Sequence, residues 1–205
     1  MAINLQKGQR IEIGLSRLIV EMGWKVNPNA NPPYDLDAST FLLRKNGEIG
    51  VEEDFVFYGS CKTIDTPDGK RPVSADGSVL GSVDDLGTDD DNSGEGQEEI
   101  EVDLDKTGPL IDQIIFTASI YWEKGSPSAR YNFGQVRNAY ILIRNAVSGE
   151  EICRYDLDED FSTEKGVEFG RLYRRNGAWK FEACGIPYTD GLEPICRKYA
   201  GRFMA

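Results

Sequence analysis

Residues 169–184 read FGRLYRR-NG-AWKFEAC, two runs in which apolar or aromatic residues alternate with charged ones, meeting at Asn176-Gly177. A two-residue hairpin turn of type I′ needs φ > 0 at both central positions, and Asn-Gly is the pair best suited to it. The stretch therefore predicts an antiparallel β-hairpin. Outward from it, alternation marks strands at 10–13 (RIEI), 40–44, 55–58, 100–104 and 151–157, each close to Gly, Asn or Pro. In 111–122, Ile114, Phe116, Ala118, Ile120 and Trp122 fall on one face of an extended chain. AYILIR (139–144) is apolar on both faces and suits a central strand. Helical spacing occurs once, at Leu192, Ile195, Cys196 and Tyr199, with Asp190 placed to cap it. Many short strands and one terminal helix predict a mainly-β, two-sheet β-sandwich, with 1–205 as one domain.

The charge is unevenly spread. Of 35 acidic residues, twelve lie between Pro72 and Asp105, where there is no Lys or Arg; the other 23 balance 23 bases. Such a surface repels nucleic acid and attracts cations. Residues 60–88, rich in Gly, Asp, Ser and Pro, read as an extended surface loop outside the core. The chain has no histidine, so no Ser-His-Asp or Cys-His arrangement can be built. Its four cysteines are single, without a CxxC pair, which fits reduced thiols and a cytoplasmic location. No apolar run is long enough to insert in a membrane, and residues 1–10 lack a signal-peptide core.

The remaining chemistry is carboxylate oxygen. Three stretches place acids at alternate positions: Asp35-Leu36-Asp37, Asp89-Asp90-Asp91 and Asp156-Leu157-Asp158. In extended chain such side chains point the same way about 6.6 Å apart. That suits calcium, which takes about 6–8 oxygens in irregular geometry. DDDNSGEGQEE (89–99) approaches an EF-hand loop, but position twelve is Ile100 and a strand follows, so the EF-hand is rejected. Asp91, Glu95, Glu98 and Glu99 remain as candidate ligands, with a solvated acidic tether as the alternative.

Longer motifs now carry a resemblance. KGQRIEI, GLSRLIVEMGW, YDLDASTFLL, EDFVFY, DNSGEG, NFGQVRNAYILI, RYDLDEDFSTE, FGRLYRRNGAWKFEA and GLEPICRKYA occur in this order. Together the sequence resembles the TerD family of bacterial tellurium-resistance and stress proteins. The resemblance implies a β-sandwich holding two neighbouring calcium ions, with Asp35, Asp37, Asp54, Asp91, Asn92, Glu95, Glu98, Glu99 and Asp160 as metal ligands. It implies a stress-response module that is not an enzyme and acts through other tellurium-resistance and stress proteins. Some relatives are described as cyclic-AMP-binding proteins. Two alternatives follow: a module binding a cyclic nucleotide or other small anion through calcium, and a metal-dependent hydrolase.

Overall fold

The computed structural model describes residues 2–25, 29–30, 36–83, 95–122, 124–159 and 161–204, the side chains of 95 and 96 excepted. In chain order the strands are β1 (Ile3–Leu5), β2 (Arg10–Ile13), β3 (Arg17–Lys25), β4 (Leu36–Leu43), β5 (Phe55–Val56), β6 (Thr63–Thr66), β7 (Gly69–Pro72) and β8 (Val79–Leu80). They continue with β9 (Glu95–Asp103), β10 (Gln113–Ile120), β11 (Arg137–Asn145), β12 (Glu151–Asp156), β13 (Gly166–Arg175) and β14 (Ala178–Tyr188), and the helix α1 (Leu192–Ala200) follows. One six-stranded sheet has the order β1-β12-β11-β3-β9-β8, a second β2-β14-β13-β10-β4-β5, and β6 pairs with β7 as a separate hairpin.

The facing sides of the two large sheets share one core. Leu18, Val20 and Met22 of β3, Ile100 and Val102 of β9, and Ile141 and Ile143 of β11 meet Ile114 and Phe116 of β10 and Phe169 of β13. This is the expected sandwich. The Asn176-Gly177 turn has φ of 54° and 80° and joins the paired residues Arg175 and Ala178, so the hairpin forms where Asn-Gly places it. On β10, Ile114, Phe116, Ala118 and Ile120 face the inter-sheet core. Ile115, of opposite parity, joins a second cluster with Phe41, Leu43 and the α1 residues Ile195, Cys196 and Tyr199. Alternation on one strand thus fills the sandwich and seats the helix.

A buried carboxylate fixes that helix. Glu168 of β13 accepts hydrogen bonds at Oε1 from Lys198 Nζ (2.7 Å), Tyr199 Oη (2.8 Å) and Tyr188 Oη. The helix begins one residue beyond the expected Asp190 cap. Its N-cap is Gly191, with φ 72° and no side-chain capping bond. That backbone conformation favours glycine over aspartate.

The expectation of an extended loop over 60–88 needs correction for 60–83. This segment forms the β6–β7 hairpin and adds β8 to the first sheet beside β9. Val73 and Val79 of this segment are buried, while Ile64 on the hairpin stays exposed. The main anchor is Arg71, itself only 9% exposed. Its guanidinium donates to the Gly81 carbonyl (2.7 Å), more weakly to those of Leu80 and Glu99, and pairs with Glu101 at 2.6 Å. Asp76 closes the turn, accepting from Ser78 N (2.9 Å), Ser74 Oγ (2.8 Å) and Gly108 N (2.9 Å). Burial opposes its ionisation, but these hydrogen bonds hold the Asp76 carboxyl below its usual pKa. The rest of the expected loop, 84–88, lies outside the described residues.

Arg71→Met should therefore lower unfolding stability by about 2 kcal/mol, because it strips a buried, multiply bonded guanidinium from carbonyls that stay buried. The check is a shift of the urea midpoint at unchanged m-value. A midpoint within error of wild type would mean that the segment adds nothing to the fold.

Candidate metal site

Strand β9 has two chemically distinct faces. Glu98 shares parity with Ile100 and Val102 and is 4% exposed. In the other sheet, Asp37 of β4 is 8% exposed and shares the parity of Phe41 and Leu43, on the α1 side of that sheet. The two line one small cleft where the sheets open, together with Val56, Tyr58, Gly81 and Ser82. Its free volume is about 10 Å³, roughly that of one water-sized sphere. Asp37 also borders a neighbouring cleft of about 240 Å³ with Ser119, Tyr121, Trp122, Asp190 and Glu193. The cleft thus offers carboxylate and hydroxyl oxygen, the donor set of hard cations.

Other expected ligands sit elsewhere. Glu99, on the opposite face of β9, pairs with Arg144, which also holds Glu21 Oε2 at 2.7 Å. Tyr140 donates to the other oxygen of Glu21. Burial first, and then Glu21, push the Tyr140 phenol pKa upward. Arg154 lies 3.6 Å from the Tyr140 ring centroid and binds Asp156 at 2.7 Å, extending a polar ladder across the outer face of the first sheet. Asp54 is buried in a 3₁₀ turn and accepts at Oδ2 from the amides of Gly50 (3.0 Å) and Val51 (3.2 Å). Burial raises its pKa despite those bonds. It is not among the residues lining the Asp37–Glu98 cleft.

Asp35, Asp91, Asn92 and Asp160 lie outside the described residues, as does the side chain of Glu95, whose backbone opens β9. Among the described residues, no three His, Cys, Asp or Glu side chains are grouped to hold a metal ion. Sequence reasoning missed Tyr58 and Ser82 as oxygen-bearing neighbours of the cleft. It also missed the Glu21–Arg144–Glu99 ladder, although like-charged Glu21 and Glu99, paired across β3 and β9, signal that a cation must lie between them.

The TerD-domain model matches residues 1–199. The chain belongs to the TerD family. It is 37% identical to the tellurium resistance protein TerD of an Alcaligenes species over 97% of both chains. It is 38% identical to general stress protein 16U of Bacillus subtilis over the same shares. A crystal structure described as a TerD homologue from Streptomyces coelicolor superposes with a TM-score of 0.63 at 18% identity, covering 91% of this chain and 96% of that one, a likeness of fold alone. Among the described residues no helix is long and apolar enough to cross a membrane.

The ladder gives a TerD-domain test that is independent of metal. Arg144→Met should cost about 3 kcal/mol in denaturant unfolding, since it leaves Glu21, 7% exposed, buried beside Glu99 without its cation. Adding Glu21→Gln should recover much of that loss. A single variant as stable as wild type would show that the ladder does not hold these strands.

Proposed function

We propose that this TerD-domain chain is a calcium-binding stress protein of the tellurium-resistance type, acting in the cytoplasm as a non-enzymatic binding module for other stress proteins. One observation carries the metal reading: Asp37 and Glu98, from opposite sheets and both more than nine-tenths buried, border one cleft with room for a single ion. The most acidic segment of the chain leads directly into β9, so its carboxylates are nearest in sequence to that cleft. Asp37 and Glu98 would hold the ion together with oxygens from Asp35, Asp91, Asn92 and Glu95. Asp54 and Glu99 keep to the turn and the ladder that already engage them. Calcium supplies a hard double charge that compensates carboxylates removed from water. The residues themselves bind and orient: β4 and β9 are held at fixed register in separate sheets, so an ion between them joins the two sheets at their open end. The absence of histidine, which removes the usual base near neutral pH, supports a binding rather than a catalytic role.

Calorimetric titration with calcium, against a magnesium control, tests this directly. Saturable calcium binding should raise the melting temperature, with about 2.7 kcal/mol of stabilisation at 100 times the dissociation constant. Asp37→Asn and Glu98→Gln should each weaken calcium at least tenfold, whereas Glu99→Gln should leave it unchanged. Equal affinity in the Asp37 and Glu98 variants would refute the shared cleft, and equal responses to magnesium would reduce the effect to charge screening.

A further inference from the structure

On the far side of the second sheet a cavity of about 310 Å³ opens between α1 and the segment 49–62. Its walls are apolar: Ile49, Phe55, Phe57, Leu192, Phe203 and Met204. Phe55 and Phe57 are the outer two rings of a three-ring stack that begins at Phe41 in the second core cluster. The centroid spacings are 4.3 and 4.1 Å, and the planes lie within 10°. A flat ring entering this space finds a surface already arranged for offset stacking. The volume lies at the lower end of the range for small-molecule clefts, and is about twice that of a cavity holding one benzene.

The charge at the mouth sets the sign of the occupant. Glu52 and Glu53 border the cavity, and among the described residues neither carboxylate has a hydrogen-bond or ion-pair partner. Among the described lining residues the one lysine, Lys62, keeps its charge but directs Nζ to the carbonyls of Ser74 (2.7 Å) and Ala75 (2.8 Å), so the two carboxylates leave the lining net negative. An apolar floor with unpaired carboxylates at the rim accepts a hydrophobic cation and disfavours a hydrophobic anion. We propose that the cavity between α1 and the segment 49–62 is a binding site for a small arylalkylamine in its protonated, ammonium form. This site lies apart from the Asp37–Glu98 cleft in its lining carboxylates, although Phe57 borders both.

Three probes sharing one ring system isolate the charge: 1-naphthylmethylammonium, 1-naphthylmethanol and 1-naphthoate, each titrated calorimetrically into the full chain. The amine should bind saturably, the alcohol up to about fivefold more weakly, and the carboxylate more weakly still, since one exposed charge pair contributes up to about fivefold. The double variant Glu52→Gln/Glu53→Gln should bring the amine down to the alcohol's affinity while leaving the alcohol unchanged. Both residues lie in a short 3₁₀ turn, and circular dichroism with the melting temperature confirms that the variant folds. Cys61 provides a positional readout, being an exposed free thiol in the cavity wall. Occupancy by the amine should slow its alkylation by N-ethylmaleimide, followed by mass spectrometry. Phe57→Ala should weaken all binding. The proposal is overturned if amine and alcohol bind equally, if the double Gln variant binds the amine like wild type, or if saturating amine leaves Cys61 alkylation unchanged.

Discussion

The two-residue period of β9 is the constraint on which the site depends. A strand paired on both sides, with β3 over its whole length and β8 over part of it, cannot rotate, so each of its side chains is assigned a face. Ile100 and Val102 fill the inter-sheet core, and their parity carries Glu98 inward. That parity carries the Glu98 carboxylate to the cleft that Asp37 also borders. Moving the register by one residue would put Glu99 inside and Ile100 outside. Core and cleft would be lost together, which ties the polar site to the packing rather than leaving it as an ornament of a loop.

The same period divides the acidic excess. On the outer face of this sheet, Glu99 and Glu101 are matched by Arg144 and Arg71, and Asp103 by Lys106 at 3.2 Å. Asp76 is satisfied by amides and a serine hydroxyl. Among the described residues, bases from outside the acidic segment, Arg71, Lys106 and Arg144, stand against these acids. Arg71 does two things at once, since its hydrogen bonds to the Gly81 and Leu80 carbonyls also fasten the β6–β7 hairpin to the sheet edge.

The sandwich was legible because its signals are local and periodic. The Asn176-Gly177 turn, the alternation of 114–120 and the spacing of Leu192, Ile195 and Tyr199 each determine structure with little help from distant residues. The 60–83 segment was not legible for the opposite reason. Its composition is that of a loop, and its order comes from one arginine reaching carbonyls nine to twenty-eight positions away. Strand β3 carries the same period, with Leu18, Val20, Met22 and Trp24 facing the core and Glu21 and Gly23 on the other face, where Tyr140 accounts for both. The Tyr140 hydroxyl binds Glu21, and its ring occupies the space that a Cβ at 23 would need. For the site, the family resemblance put Asp37 and Glu98 in one ligand set, while neither stretch alone shows that β4 and β9 belong to opposite sheets and border one cleft. The inward parity of Glu98 was available from Ile100 and Val102, and it separates Glu98 from Glu99 by pleat alone.

The segment following β5 joins the two regions of interest physically. Phe57 lines both the cavity under α1 and the Asp37–Glu98 cleft, while Tyr58 lines that cleft and the neighbouring one along Tyr121 and Trp122. Leu192, at the start of α1, borders the first cavity and the last. These residues are a common wall between the two regions. The stacking of Phe57 on Phe55, and of Phe55 on Phe41, gives the wall a rigid backing in the core beneath α1. Its exposed end is closed by Ser60, whose Oγ accepts from Phe57 N at 3.0 Å and donates to Phe55 O at 3.1 Å.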